Sequence, residues 1–168
     1  LGDDANGQLL RLACADAAVD LSMALTVSEP TGSYLAILDA TGELVSAVND
    51  MRAMETLTPA QLALHAESFS EVDMLVADCN LSQACLAWLC RFSAERNVRL
   101  LIEPVSVPKA QKLLAFARAA PVFAITPNAQ QLAALVGGDG VVALAGLHAL
   151  GFANVVLHRG SAGALASD

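Results

Sequence analysis

The sequence predicts an α/β fold, with a mainly parallel β-sheet flanked by helices and a small β-hairpin region ahead of it in the chain. From residue 58 onward, short apolar runs alternate with helical stretches, as is typical of strands that are buried on both faces of a parallel sheet. Before that point, two β-prone segments are joined by a tight turn instead. A length of 168 residues is enough for one domain with a hydrophobic core.

The first 57 residues predict one helix followed by β structure. Apolar residues recur at helical spacing between residues 6 and 18. β-Prone segments follow at about 22–28, 31–38 and 43–49, and the turn from Asp39 to Gly42 joins the last two into a hairpin. We expect a separate small sheet, because a hairpin with apolar residues on both strands needs a partner surface.

From Thr58 the pattern predicts alternating helices and strands. Thr58 with Pro59 and Gln61 predicts an N-cap, a first-turn proline and a capping box, opening a helix that runs to about Phe69. Strands are then predicted at 72–77, 98–102, 122–125 and 155–157, and helices at about 82–96, 108–119, 127–136 and 140–150. This order predicts a parallel sheet with right-handed crossovers.

Composition excludes several functional classes. The net charge is −8 and the nine Lys and Arg residues are not clustered, so we expect no nucleic-acid or membrane partner. The four cysteines form no CxxC pair, which favours small core residues in a reducing cytoplasm over a zinc or redox site. No apolar run is long enough for a transmembrane helix. The chain opens without a Met or a signal peptide, so we expect a piece from inside a longer cytoplasmic protein.

Polar residues follow four of the predicted strands. In an open parallel sheet, ligands bind beyond the carboxyl ends of the strands, so these residues are the candidates for a binding cleft. They are Asp78 and Asn80, Glu103 to Ser106, Thr126 to Asn128, and His158 to Gly163.

Each group also has a purely structural interpretation. The pair after the first strand either bonds a substrate hydroxyl or caps the next helix. Thr126 and Pro127 form an ordinary helix start, whereas in the functional alternative Asn128 faces a phosphate or a metal-bound water. The loop from Gly160 to Gly163 is either a turn that needs positive φ or a set of backbone N–H groups for a phosphate. These residues alone predict an α/β ligand-binding enzyme domain.

Several segments together resemble the ribokinase-like (PfkB) carbohydrate kinases, in the family's order. They are Gly2-Asp3-Asp4 with Gly7 and Val19-Asp20, Pro30 to Tyr34, Thr126-Pro127-Asn128, and Gly160 to Gly163. Three further stretches are similar to the pseudouridine kinase branch: Asp50 to Glu55, Asp78 to Leu81, and Glu103 to Ala110. The resemblance implies a three-layer αβα fold, with a β lid at about residues 22–50 and an α/β core at 58–168.

The resemblance also implies a function. It implies ATP-dependent phosphorylation of a ribosyl hydroxyl, and the substrate that it favours is pseudouridine, which would become pseudouridine 5'-phosphate. It also implies Mg²⁺ and, in many members, a monovalent cation. The alternatives are a kinase for ribose or adenosine, and a non-catalytic nucleotide- or sugar-binding relic. A homodimer formed through the lid is a further implication.

Site residues are assigned by position in the resemblance. Those implied for substrate binding are Ser33, Met51 and Asn80, and those implied for the nucleotide are Asn128, His158, Gly160 and Gly163. Gln131 stands where the family has a glutamate near the metal, so its implied metal role is indirect. The family's opening strand and its C-terminal segment with the anion hole and catalytic base have no counterpart here. No catalytic residue is therefore assigned, and we expect the chain by itself to be inactive.

Overall fold

A computed structural model describes residues 1–42, 44–116, 118, 121–138 and 140–168. The chain divides into two compact units, Leu1–Leu57 and Thr58–Asp168. Among the described residues, the first unit contains a two-stranded sheet and the second a five-stranded sheet.

The first unit contains helix α1 and an antiparallel hairpin. Its elements are α1 (Ala5–Asp16), β1 (Ser33–Leu38), β2 (Leu44–Asp50) and the short α2 (Arg52–Glu55). The predicted hairpin is present, with Ser33 opposite Asp50 and a register shift between Ile37 and Leu38. The β-prone segment at 22–28 does not form a strand. Among the described residues, its β pairing is limited to one isolated bridge between Val27 and Gly2.

Gly2, Asp4, Gly7 and Thr31 form a tightly packed cluster. The Thr31 hydroxyl accepts a hydrogen bond from the Gly2 N–H at 2.9 Å and donates to Oδ1 of Asp4 at 2.7 Å. The hydrogen bonds that Asp4 accepts from the hydroxyl and the N–H of Thr31 lower the pKa of Asp4. A Cβ on Gly7 would lie 2.2 Å from the Gly2 carbonyl oxygen. The glycines of this segment are therefore required by close packing.

The second unit is built on a mixed, mostly parallel sheet in the order β3-β4-β5-β6-β7. Its strands are β3 (Met74–Asp78), β4 (Arg99–Glu103), β5 (Val122–Ile125), β6 (Phe152–His158) and β7 (Ala164–Ser167). Strands β3 to β6 are parallel, and β7 pairs antiparallel with β6. The predicted mainly parallel α/β fold is confirmed.

The helices of the second unit lie before and between these strands. They are α3 (Pro59–Ala63), α4 (Ala66–Ser70), α5 (Gln83–Arg96), α6 (Val107–Ala110), a 3-10 helix (Gln111–Ala115), α7 (Ala129–Val136) and α8 (Gly140–Ala149). The predicted capping box of Thr58 and Gln61 is present. The helix predicted up to Phe69 is instead two short helices. The helix predicted at 108–119 begins as α6 and tightens to a 3-10 helix, and part of its predicted end, at 117, 119 and 120, lies outside the described residues.

The core of the second unit lies on the central strands and the helices that pack on them. Its fully buried side chains include Leu86, Leu100, Ile102, Leu113, Val122, Ile125, Leu132, Leu147, Phe152 and Val155. Cys79, Cys85 and Cys90 are buried among them. Burial raises the pKa of Cys79 to about 12 and that of Cys90 to about 11, so both thiols stay neutral at pH 7.

Within the described ranges, no single helix is long and apolar enough to cross a membrane. Helices α7 and α8 reach that length and composition only as a pair, and the pair is bent by 53°.

Candidate functional site

The polar segments that follow β3, β4, β5 and β6 lie along one edge of the sheet, which we call the carboxyl edge. Asp78 at the end of β3 is opposite Glu103 at the end of β4. Beyond β5 and β6, Asn128 forms a parallel β-bridge with His158. The His158 N–H donates to the Pro127 carbonyl oxygen at 2.8 Å. The strand register therefore aligns the four predicted polar groups, because all four strands are parallel.

Asn80 lies in a turn that is anchored by hydrogen bonds from both sides. Its N–H and its Nδ2 donate to the two carboxylate oxygens of Asp78, at 2.9 and 2.8 Å. Its Oδ1 accepts a hydrogen bond from Nζ of Lys109. Asn80 does not cap helix α5, because the side chain of Ser82 accepts the hydrogen bond from the Cys85 N–H. The capping alternative for Asn80 is therefore removed, and its side chain stays at the carboxyl edge.

The side chain of Lys112 holds the same turn by its backbone carbonyl groups. Its Nζ donates to the carbonyl oxygens of Cys79 and Leu81, both at 2.9 Å. The Cys79 N–H in turn donates to the Glu103 carbonyl oxygen at 2.9 Å, which ties the turn to the end of β4. The turn that carries Asn80 is thus held on both flanks.

Glu103 connects the ends of β4 and β5. Its carboxylate accepts one hydrogen bond from the Val105 N–H at 3.0 Å and another from the Thr126 hydroxyl. Val105 has a φ of 67°, which is rare for a β-branched residue, and the Ser106 N–H donates back to the Pro104 carbonyl oxygen at 2.8 Å. This bond closes a strained γ-turn that the Glu103 carboxylate holds in place.

Helix α7 begins two residues later than the sequence predicts. The N-cap is Asn128. The predicted start had Thr126 as the N-cap and Pro127 as the first helical residue. Its Oδ1 accepts from the Gln131 N–H at 2.9 Å, and Oε1 of Gln131 accepts from the Asn128 N–H at 2.8 Å. The hydroxyl of Thr126 bonds Glu103 instead, which explains why it does not cap the helix.

Gln131 is 3% exposed, although the sequence places it toward the ligand edge. Asn128 itself is exposed. Any influence of Gln131 on a metal would therefore pass through Asn128, and its expected metal role stays a prediction.

The loop from Arg159 to Gly163 is the hairpin connection between β6 and β7. Gly160 and Gly163 have φ values of 59° and 80°, as the turn interpretation predicts. The Gly163 N–H donates to the Gly160 carbonyl oxygen at 3.1 Å, and the Ala162 N–H to that of Arg159 at 3.2 Å. These two N–H groups are satisfied within the loop, so they are not open donors for a phosphate in this conformation.

Ser33 and Met51 lie in the first unit, at the open end of the hairpin. Ser33 is the first residue of β1 and is exposed. Met51 follows β2, and its Sδ would lie 3.0 Å from a Cβ on Gly32. Gly32 therefore leaves room for the Met51 side chain next to Ser33.

The described residues contain no group of three or more His, Cys, Asp or Glu that could hold a metal ion. Mg²⁺ in nucleotide enzymes keeps several waters and is held by phosphates with one or two protein oxygens. The half-buried Glu103 carboxylate and the exposed Asn128 amide, both at the carboxyl edge, fit that limited role. They do not form a complete protein cage.

Two lysines that reach back to the turn of Asn80, Lys109 and Lys112, were not singled out by sequence reasoning. Each reaches a turn about thirty residues earlier in the chain, with separations of 29 and 31 to 33 residues. Glu103-Pro104-Val105-Ser106 was recognised as a polar strand end, but no pattern in the sequence indicates that the lysines after it would reach back to β3.

Comparison with known proteins identifies relatives along the whole chain. The model of the pfkB family carbohydrate kinases matches residues 1–168. Pseudouridine kinase of Escherichia coli (strain K12) is 35% identical over 175 residues, which cover 100% of this chain and 55% of that protein. Pseudouridine kinase of Arabidopsis thaliana is 32% identical over 100 residues, covering 59% of this chain and 26% of that protein. The chain thus spans about half or less of the length of these relatives.

Solved structures have the same fold. A carbohydrate kinase from Agrobacterium tumefaciens superposes with a TM-score of 0.79 at 27% identity, over 95% of this chain and 51% of that one. Arabidopsis thaliana ribokinase, solved with ribose and ATP, gives a TM-score of 0.81 at 21% identity, over 99% and 55% of the two chains. The second likeness supports the fold alone.

Proposed function

Because the chain belongs to the pfkB family of carbohydrate kinases, we propose that it is part of an enzyme that phosphorylates a ribosyl hydroxyl with ATP. The acceptor we propose is pseudouridine. The observation that carries this choice is the 35% identity with a pseudouridine kinase over the full chain, which includes the Asn80 turn and the segment after β4.

The geometry of the carboxyl edge supports phosphoryl transfer as the reaction class. Such transfer depends on positioning the two substrates and stabilising charge, not on covalent chemistry by the protein. We assign Asn80, which is held by Asp78 and Lys109, to the acceptor. We assign Asn128 and His158, whose backbones are paired, to the nucleotide together with the adjoining glycine loop.

Mg²⁺ bound with the nucleotide would neutralise charge on the transferred phosphoryl group. Glu103 and Asn128 are the oxygen-bearing residues that would face it, directly or through water. Glu103 is already oriented by Thr126 and Val105, so its carboxylate is held in one position before any ligand binds. We also propose that a monovalent cation binds near the nucleotide. This part of the proposal rests on membership of the family alone.

We assign the β1–β2 hairpin the role of a substrate lid, with Ser33 and Met51 as acceptor contacts. The same hairpin is our candidate for the surface that pairs two copies. One face of the hairpin carries apolar side chains that are open to solvent, and Leu35, Ile37 and Val48 on this face are 66%, 51% and 65% exposed. An exposed apolar surface of this kind favours a partner.

The test is a substrate comparison on the protein expressed from its gene. ADP release is measured with pseudouridine, uridine, adenosine and ribose under identical conditions. The proposal predicts the highest kcat/KM for pseudouridine. A higher value for adenosine or ribose would place the protein elsewhere in the family, and ATP-dependent turnover of none of them would contradict the proposed reaction.

A further inference from the structure

A chain of hydrogen bonds joins Lys109 to Asp78 through the amide of Asn80. Nζ of Lys109 donates to Oδ1 of Asn80, and Nδ2 of Asn80 donates to the Asp78 carboxylate at 2.8 Å. The amide thus lies between an ammonium and a carboxylate, which fixes which end of it carries the oxygen. The three side chains together carry no net charge at pH 7.

Lys109 has hydrogen-bond donors that the described residues do not use. An ammonium group carries three hydrogens, and Nζ of Lys109 has one partner among the described residues. Within the described part of the chain, it makes no ion pair at 4.0 Å or less. Its side chain is half-buried and its Nζ lies against Asn80, so the remaining donors lie at the carboxyl edge.

Lys112 shows what a purely structural lysine does at the same place. It lies one turn further along, and its Nζ bonds two backbone carbonyl oxygens at 2.9 Å. Lys112 therefore holds the turn itself. Among the described residues, Lys109 bonds only the tip of the Asn80 side chain, and Asp78 already holds Asn80 through one hydrogen bond from its backbone N–H and one from its Nδ2.

The surrounding charges indicate the kind of oxygen that Lys109 would bind. The Asp78 carboxylate is one amide group away, so a phosphate oxygen at Lys109 would be repelled by a neighbouring negative charge. A neutral carbonyl oxygen accepts the same hydrogen bond without that repulsion. Hydrogen bonds from a charged donor to a neutral acceptor are also among the stronger ones.

We propose that Lys109 is a specificity-determining residue, which donates a hydrogen bond to a carbonyl oxygen on the nucleobase of the acceptor. Asn80 holds the ammonium for this contact. The inference rests on the proposed function and adds which part of the acceptor is recognised. A pyrimidine base with carbonyl groups gains this bond, whereas ribose and the adenine of adenosine have no carbonyl oxygen to offer.

The experiment measures dissociation constants by calorimetry on the protein expressed from its gene, with pseudouridine, ribose and ATP as separate probes. Lys109→Met is expected to weaken pseudouridine binding by about tenfold to a hundredfold, the usual range for losing a charged hydrogen bond. Binding of ribose and of ATP should stay unchanged. Lys109→Arg, which keeps a charged donor, should recover part of the loss.

Lys112→Met is the matched control. It should lower the thermal unfolding midpoint, because two carbonyl oxygens lose their partner, and leave the ratio of pseudouridine to ribose affinity unchanged. Equal losses of ribose and pseudouridine affinity in Lys109→Met would overturn the inference, and so would a loss confined to ATP, which would indicate a phosphate contact.

A second measurement needs no variant and so does not depend on folding of Lys109→Met. Wild-type protein should bind uridine more tightly than 2-thiouridine or 4-thiouridine, since sulfur is the weaker acceptor. Equal affinity for all three contradicts the inference while leaving a kinase function intact. A wild-type protein that neither binds nor phosphorylates any ribosyl compound overturns the proposed function and this inference together.

Discussion

Asn128 and Gln131 cap the first turn of α7 reciprocally, each accepting a hydrogen bond from the backbone N–H of the other, at 2.9 and 2.8 Å. The pair gives Asn128 a capping role, which can be separated from the nucleotide contact that we propose for it. Its oxygen satisfies a helix N–H, and its exposed position at the carboxyl edge suits it to the nucleotide. Gln131 is buried behind it and orients it.

Substitutions at Asn128 separate these two roles. Asn128→Ala should destabilise the fold by about 1 kcal/mol, because the cap is lost. Asn128→Asp keeps a capping oxygen and suits the helix dipole, so its stability should equal that of the wild type. Both variants should bind ATP more weakly, the Asp variant because of its added negative charge. Urea unfolding and ATP calorimetry measure the two effects. Unchanged ATP affinity in both variants would leave Asn128 with the capping role alone.

Gln131→Glu tests the indirect metal role. A carboxylate at this position keeps the capping oxygen and adds negative charge behind Asn128, and hard divalent cations favour anionic oxygen. The variant should reach its half-maximal rate at a lower Mg²⁺ concentration than the wild type. Gln131→Met, which removes both polar groups, is the control for packing. A folded Glu variant with an unchanged Mg²⁺ dependence would show that Gln131 serves only as a cap.

The exposed face of the hairpin predicts association between copies. Leu35 and Val48 are cross-strand partners, so they lie on the same face of the β1–β2 sheet. Leu35→Asp should shift the protein from dimer to monomer in sedimentation velocity, because a buried unpaired charge opposes association. Asn49→Asp, on the opposite face, should leave the dimer in place. A wild type that is monomeric at all concentrations would contradict this proposal.

Acid titration of the hairpin end provides a further prediction. Hydrogen bonds from Arg52 lower the pKa of Asp50 to about 2 from an ordinary 3.8. Because the folded pKa lies below the unfolded one, the contribution of this pair is present above about pH 4 and is lost as the pH falls through 2. Arg52→Ala should raise the pKa of Asp50 toward its ordinary value in a carboxyl NMR titration. Arg11→Ala, whose side chain bonds Thr26, should not.

Local pattern was sufficient to predict the elements of the second unit that are buried on both sides. The strand at 122–125 has its predicted bounds, since β5 lies in the centre of the sheet and its apolar run is bounded by Pro121 and Thr126. The β-prone run at 22–28 misled the prediction, because propensity does not supply a partner strand. The predicted start of α7 was wrong because the Thr126 hydroxyl donates a hydrogen bond to Glu103 instead of capping the helix. This contact joins segments that are distant in the sequence.

The candidate site was predictable in its location and not in its connections. Parallel strands bring their carboxyl ends to one edge, so the polar residues after each strand could be grouped from the sequence alone. Which of them bond one another depends on side chains that reach between crossovers, as Lys109 does to Asn80. Such contacts have no periodic signature in the sequence.

The most direct test of phosphoryl transfer to a ribosyl hydroxyl is ³¹P NMR of a mixture of the protein expressed from its gene, ATP, Mg²⁺ and pseudouridine. The account predicts loss of the γ-phosphate signal together with an equal gain of ADP and of a phosphomonoester signal that appears only when pseudouridine is present. Loss of the γ-phosphate to inorganic phosphate alone, or no change with any ribosyl acceptor, would contradict it.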